Sequence, residues 1–128
     1  MANKPLALAI DFGTQSIRAS LIDKQGNIVS LVKRKYSPVY LSSENGYAEQ
    51  DADFYWENCL SALKELTSKS KEYLNVICGA SVTTFRDSAV LLDSEYKPLR
   101  KVILWLDQRN AAAKERLPFL HRLIFKII

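Results

Sequence analysis

The residues with the clearest chemical potential lie together near the start of the chain, in Leu6 to Asp23, LALAIDFGTQSIRASLID. Asp11 ends a short apolar run, Leu6 to Ile10, of the kind shown by a strand buried on both faces. A lone carboxylate at the exit of such a strand is placed to hold a cation. Gly13 then lets backbone approach a ligand closely, and Thr14, Gln15 and Ser16 offer donors to anionic oxygens. From here Ile17, Ala19, Leu21 and Asp23 alternate with Arg18, Ser20 and Ile22, so a second strand is expected to return antiparallel to the first. As chemistry, this is a phosphate-binding turn beside a cation-holding carboxylate. As bare structure, it is a hairpin whose turn contains Gly and Thr, and the short Asp-x-Gly-Thr motif leaves both readings open.

Two later stretches carry groups suited to hydroxyl recognition. In Thr83-Thr84-Phe85-Arg86-Asp87-Ser88, expected as a loop between strands, a guanidinium adjoins a carboxylate. Such a pair holds two hydroxyls of a polyol, Arg as a fork of donors and Asp as a directional acceptor, or else is a surface ion pair worth about 0 to 1 kcal/mol. In Lys101 to Arg109 an apolar strand stops at Trp105, followed by Asp107 and Arg109. An aromatic face stacks against the C–H surface of a sugar and a neighbouring carboxylate binds its hydroxyls; Gln108 and Arg109 serve equally well to cap the next helix. The sole histidine, His121, has no triad partner and reads as structural or solvent-exposed. No Ser/His/Asp arrangement, Cys/His arrangement or metal-ligand spacing is visible.

These groups need elements to hold them. Lys24-Gln25-Gly26-Asn27 is a turn, and Ile28 to Tyr36 alternates as a third strand with Ile28, Ser30, Val32, Arg34 and Tyr36 on one face, completing an antiparallel meander. Ser37 to Asn45 is a loop. Asp51 is expected to cap a helix running from Asp53 to about Ser70, with Asp53 at the positive end of its dipole. Trp56, Cys59, Leu60, Leu63 and Leu66 give that helix one core face, with Trp56 as its anchor. Tyr73 to Ser81 reads as a buried fourth strand with Gly79 as a point of close backbone approach. Ala89 to Asp93 and Val102 to Trp105 are two more strands around the turn Ser94 to Pro98. Asn110 begins a helix that Pro118 interrupts, and Phe119 to Ile128 is an apolar tail that calls for a partner surface.

Composition limits the function classes. With 128 residues, 48% hydrophobic and 25% charged, the chain can build one domain with a core but not two lobes. The formal charge of +4 is dispersed, and its compact run, Lys33-Arg34-Lys35, reads as a solvated strand edge guarding against aggregation rather than a nucleic-acid footprint. Cys59 and Cys78 sit in apolar patterns, as reduced core thiols of a cytosolic protein do. The N-terminal apolar stretch is too short for a secretory signal, and nothing approaches the ~20 apolar residues of a membrane span. A cytoplasmic protein with neither nucleic acid nor membrane as partner is expected.

The extended run Asp11-Phe12-Gly13-Thr14-Gln15-Ser16-Ile17-Arg18-Ala19 resembles the first phosphate motif of the FGGY carbohydrate kinases, within the actin, hexokinase and Hsp70 superfamily. Gly46-Tyr47-Ala48-Glu49-Gln50-Asp51 followed by Trp56 resembles a second FGGY stretch, with Ala52 where a proline is common, and Trp105-x-Asp107-x-Arg109 resembles a third. The resemblance implies a ribonuclease H-like (actin-like ATPase) α/β domain, a mixed sheet with an antiparallel three-strand meander followed by helix-strand units. It implies transfer of the γ-phosphoryl group of ATP, with Mg²⁺, to a sugar or polyol. Asp11 would hold Mg²⁺ through water, Gly13, Thr14, Gln15 and Ser16 would surround the phosphate, and Arg18 would steady the phosphate loop or the nucleotide. Arg86, Asp87, Trp105 and Asp107 would form the acceptor side. The family's general base and most of its nucleotide pocket lie downstream, so the 128 residues alone are expected to have negligible kinase activity and to pair with the rest of a kinase chain. Alternatives are a non-catalytic module that dimerises through the apolar tail, and a ribonuclease H-like nuclease, which would need clustered carboxylates where only Asp11 is clearly placed.

Overall fold

The computed structural model describes residues 4–109. The helix expected from Asn110, His121 and the apolar tail lie outside the described residues. Three antiparallel strands, β1 (Leu6–Phe12), β2 (Ser16–Asp23) and β3 (Ile28–Lys35), form the expected meander. After a helix, α1 (Ala52–Lys69), and a 3₁₀ segment over Lys71–Val76, β5 (Ile77–Thr84) returns parallel to β1, giving the sheet order β3-β2-β1-β5. Two short strands, β4 (Glu49–Gln50) and β6 (Val102–Ile103), pair separately.

The register explains the layering. Phe12, Ile10 and Leu8 stand opposite Ile17, Ala19 and Leu21, and directly opposed residues share a face. That face packs against α1; Ile17, Ala19 and Leu21 are wholly buried, with Val32 of β3 beside them. The other face carries Ala7, Ala9 and Asp11 of β1. β1 is therefore covered on one face rather than two among the described residues, and Asp11 is its penultimate residue. The turn into β3 is tied by the Asp23 carboxylate, which accepts the backbone N–H groups of Gln25 and Asn27, each at 2.9 Å, and is held below the usual carboxylate range chiefly by the Asn27 side chain. Gly26 supplies the positive φ of 85° that the turn requires.

α1 shows the most instructive departure from sequence. Its buried residues are Tyr55, Cys59, Ala62 and Leu66, whereas Trp56 is 60% exposed. The buried stripe keeps Cys59 and Leu66 but takes Tyr55 and Ala62 in place of Trp56 and Leu60, a rotation of the core face by roughly 65°, because the small Ala62 permits close approach to the sheet and Tyr55 packs edge-on with other rings. Tyr55 stands 5.4 Å from Tyr36, 5.7 Å from Phe54 and 5.2 Å from Phe85 between ring centroids. Asp51 occupies the N-cap position but makes no side-chain cap bond. At the other end the buried Ser70 donates to Ser30 of β3 at 2.7 Å, fixing the helix to the sheet.

β5 also differs from expectation. It begins at Ile77 and is mostly exposed, since α1 covers β2 and β3 and β5 stands at the sheet edge among the described residues. Cys78 is accordingly exposed while Cys59 is buried, and none of the described residues lies within 4 Å of where a Cβ on Gly79 would be. The Lys33-Arg34-Lys35 run is exposed on β3, as an edge guard should be. The strand expected over Ala89 to Asp93 is reduced to single bridges, Ala89 with Ile103 and Leu92 with Pro98, the second flanked by Leu99 N–H to Leu91 O and Asp93 N–H to Lys97 O, both at 2.9 Å. No helix of the described residues is long and apolar enough to cross a membrane.

Candidate functional site

Adjacent strands bring three polar side chains into one row on the sheet face opposite α1. Asp11 of β1 pairs in register with Arg18 of β2 and Thr83 of β5. Arg18 Nη1 donates to Asp11 Oδ2 at 2.8 Å, and Thr83 Oγ1 donates to Oδ1 at 3.0 Å. The carboxylate keeps 46% of its surface open to solvent, so it is oriented without being sealed. Thr83 was expected in a loop; the structure places it and Thr84 at the end of β5. Its contact with Asp11 depends on parallel register, which a sequence displays only as two threonines after an apolar run.

The turn beside this row is shaped by its glycine. Gly13 N–H donates to the Ser16 carbonyl at 3.0 Å, and a Cβ on Gly13 would meet that same oxygen at 3.1 Å and Arg18 Nη1 at 3.5 Å. The missing side chain is thus what lets the turn close on the Ser16 carbonyl, with the Arg18 guanidinium in ordinary contact beside it. Thr14 is part-exposed and Gln15 exposed, but Ser16 is buried at the start of β2, which leaves its hydroxyl turned away from solvent. Tyr36 N–H donates to the Gln15 carbonyl at 3.0 Å, tying the turn to the end of β3.

Trp105 joins the acceptor-side candidates to this turn. Its indole Nε1 donates to Thr14 Oγ1 at 3.0 Å, its backbone N–H donates to Ser88 Oγ at 3.3 Å, and the residue is 53% exposed. The 85–88 loop therefore adjoins the backbone of Trp105. Arg86 and Asp87 in that loop are exposed and form no ion pair with each other, and Asp87 has a left-handed φ of 56°. A strained non-glycine backbone beside a cleft commonly marks a residue held for function. A hollow of about 300 Å³ lined by Phe12, Tyr55, Thr84, Phe85, Ser88 and Val90 opens next to the loop, with mainly apolar walls.

Asp107 is placed differently. Its side chain is only 4% exposed. It accepts Ala48 N–H at 2.8 Å, Arg109 Nε at 2.7 Å and Arg109 Nη2 at 2.6 Å. The Arg109 fork holds it well below the usual carboxylate range. Arg109 also reaches Glu49 at 2.8 Å and lies 3.7 Å above the Tyr47 ring, while Glu49 takes a second cation, Arg100, at 2.6 Å. Neither Glu49 nor Tyr47 stands out as a partner of Arg109 in sequence, being 60 residues or so away; the pattern Gly46 to Asp51 was the available signal.

The chemistry of the Asp11 site suits magnesium with phosphate. Among the described residues no group of three or more His, Cys, Asp or Glu could cage a metal. Magnesium bound with nucleotide uses one or two carboxylates and otherwise water and phosphate oxygens, so a single half-open carboxylate flanked by hydroxyl and guanidinium fits it.

A meander followed by a helix and a strand returning parallel to the first is the ribonuclease H-like arrangement of the actin-like ATPases. Comparison with known proteins agrees and is more specific. Residues 6–122 match the N-terminal domain of the FGGY family of carbohydrate kinases, and the chain belongs to that family. It is 34% identical to a xylulose kinase from Staphylococcus epidermidis over 84% of this chain and 21% of that protein. It is 33% identical to a glycerol kinase from Rhizobium meliloti over 86% of this chain and 22% of that one. The crystal structure of xylulose kinase from Rhodospirillum rubrum superposes with a TM-score of 0.77 at 28% identity, covering 87% of this chain and 22% of that chain. The chain thus spans about a fifth of the length of these curated relatives.

Proposed function

We propose that the chain forms the phosphate-binding and part of the acceptor-binding wall of an ATP-dependent sugar or polyol kinase. The observation that carries this reading is the Arg18–Asp11–Thr83 row beside the Gly13 turn, linked through Thr14 to the exposed Trp105 ring. Phosphoryl transfer passes through a loose transition state with charge on the phosphoryl oxygens, so the protein's task is positioning and electrostatic clamping. Magnesium, when bound with nucleotide, would neutralise charge across the phosphate oxygens. Asp11 would orient it through water, held in place by Thr83. Arg18 would turn its guanidinium from Asp11 toward phosphate oxygen, an exchange of one charge-assisted bond for another. Backbone and hydroxyl groups of Gly13 to Gln15 would contact the transferred phosphate. Trp105 would stack on the acceptor, with Arg86 and Asp87 recognising its hydroxyls.

On this reading the general base and the larger share of the nucleotide pocket belong to the remainder of the kinase, and the 128 residues alone turn over no substrate. The test is a sugar and polyol panel with MgATP on the whole kinase and on its Asp11→Asn variant. Activity on at least one acceptor that falls by ~100-fold or more in the variant is expected. An active enzyme indifferent to Asp11→Asn refutes the assignment of this row, and polyol phosphorylation by the 128 residues alone refutes the division of labour.

A further inference from the structure

The Asp107 carboxylate sits beside an exposed aromatic ring yet has no open face to offer a sugar hydroxyl. Both its oxygens are engaged, by Ala48 N–H and by the Arg109 fork, and Arg109 is itself gripped by Glu49 and the Tyr47 ring. The backbone closes the same seam. Leu104 N–H donates to Ala48 O at 3.0 Å, Gln108 N–H to Gly46 O at 2.7 Å, and β4 pairs with β6 immediately before. Trp105 lies inside this seam, on the turn closed by Asp107 N–H to Leu104 O at 2.9 Å.

We propose that Glu49, Asp107 and Arg109 form a clasp that positions the Trp105 indole against Thr14, and that Asp107 and Arg109 are positioning residues rather than ligands of the acceptor. The physical reason is that Leu104 and Leu106 turn into the core while Trp105 between them faces outward, 53% exposed, so the packing of the turn does not by itself fix the indole. The clasp fixes its C-terminal side to the 46–50 segment, and the Nε1 bond to Thr14 fixes the ring. A planar guanidinium is required, because it binds a carboxylate edge-on with two parallel bonds while its face rests on Tyr47; a lysine ammonium does neither. The consequence for the proposed kinase, and dependent on that reading, is that the acceptor platform is registered to the phosphate turn through one hydrogen bond.

The test exploits the fact that Trp56 and Trp105 are the two tryptophans. In a Trp56→Phe background Trp105 is the sole indole reporter, and its anisotropy and acrylamide quenching are read in the 128-residue chain without any ligand. Asp107→Asn and Arg109→Lys are expected to lower the anisotropy and raise the quenching while the circular dichroism is retained, and Arg109→Lys is expected not to rescue despite keeping the charge. Should Asp107→Asn fail to fold, Glu49→Gln, which keeps an acceptor for Arg109 and removes only a charge, is the milder variant and is expected to loosen the ring to a lesser degree. Folded variants with Trp105 unmoved overturn the proposal. In the whole kinase the same variants are expected to raise acceptor KM by about tenfold with ATP KM unchanged. A loosened ring with unchanged acceptor KM would leave the clasp standing and overturn instead the assignment of Trp105 to the acceptor.

Discussion

The orientation of α1 is open to a decisive mutational comparison. Leu66 is 2% exposed against the sheet, whereas Trp56 projects outward. Leu66→Ala removes three carbon groups, at about 0.8 kcal/mol each, and the cavity left between helix and sheet brings the loss to about 3–4 kcal/mol. Trp56→Ala removes a much larger side chain of which most is already in water, and alanine's better helix propensity offsets part of the loss, so the net change is about 1 kcal/mol or less. Urea unfolding followed by far-ultraviolet circular dichroism measures both. With a slope of about 1–3 kcal/mol per molar, Leu66→Ala moves the midpoint down by about 1 M or more and Trp56→Ala by about a third of that or less. Equal losses, or a larger loss for Trp56→Ala, would show that the helix presents its tryptophan to the core and would undo the account of Tyr55 and Ala62.

Other perturbations have definite expected signs. Glu49 is held below the usual carboxylate range, first by Arg109, so its pairing contributes stability above its ordinary value near 4.5 that is lost as pH falls through the lowered folded value; Glu49→Gln should flatten the acid limb of a stability-against-pH curve and leave the neutral-to-alkaline region's shape alone. Burial pushes Tyr55 up to about 12, so its neutral phenol contributes stability that is full below about pH 10 and lost as pH rises toward 12. Among the described residues the buried Tyr55 hydroxyl has no hydrogen-bond partner, so Tyr55→Phe should be neutral or stabilising by up to about 1 kcal/mol in urea unfolding, and a loss larger than that would reveal a partner. Gly13→Ala forces a Cβ to 3.1 Å from the Ser16 carbonyl, and calorimetric titration of the whole kinase with MgATP should show weakened binding alongside a stability loss of about 1–3 kcal/mol.

Much of this was legible in the chain itself. The alternation from Ile17 to Leu21 and the Gly26 turn define a meander because strand period and turn chemistry are local properties, and the Asp11 to Ala19 run pointed to the family because its residues are contiguous. What sequence could not decide was everything set by contact between distant segments. Helical periodicity allows either Trp56 or Tyr55 to face the core, and only packing on β2 and β3 chose Tyr55. An apolar run does not say how many of its faces will be covered, so β1 and β5 read as more buried than they are. A lone Asp107 beside a tryptophan looks like a sugar ligand until Arg109, Ala48 and Glu49 are brought around it. The chain's own order offered the candidate groups; tertiary structure decided which of them remain free for a ligand, because burial and hydrogen-bond saturation are properties of neighbours far apart in sequence.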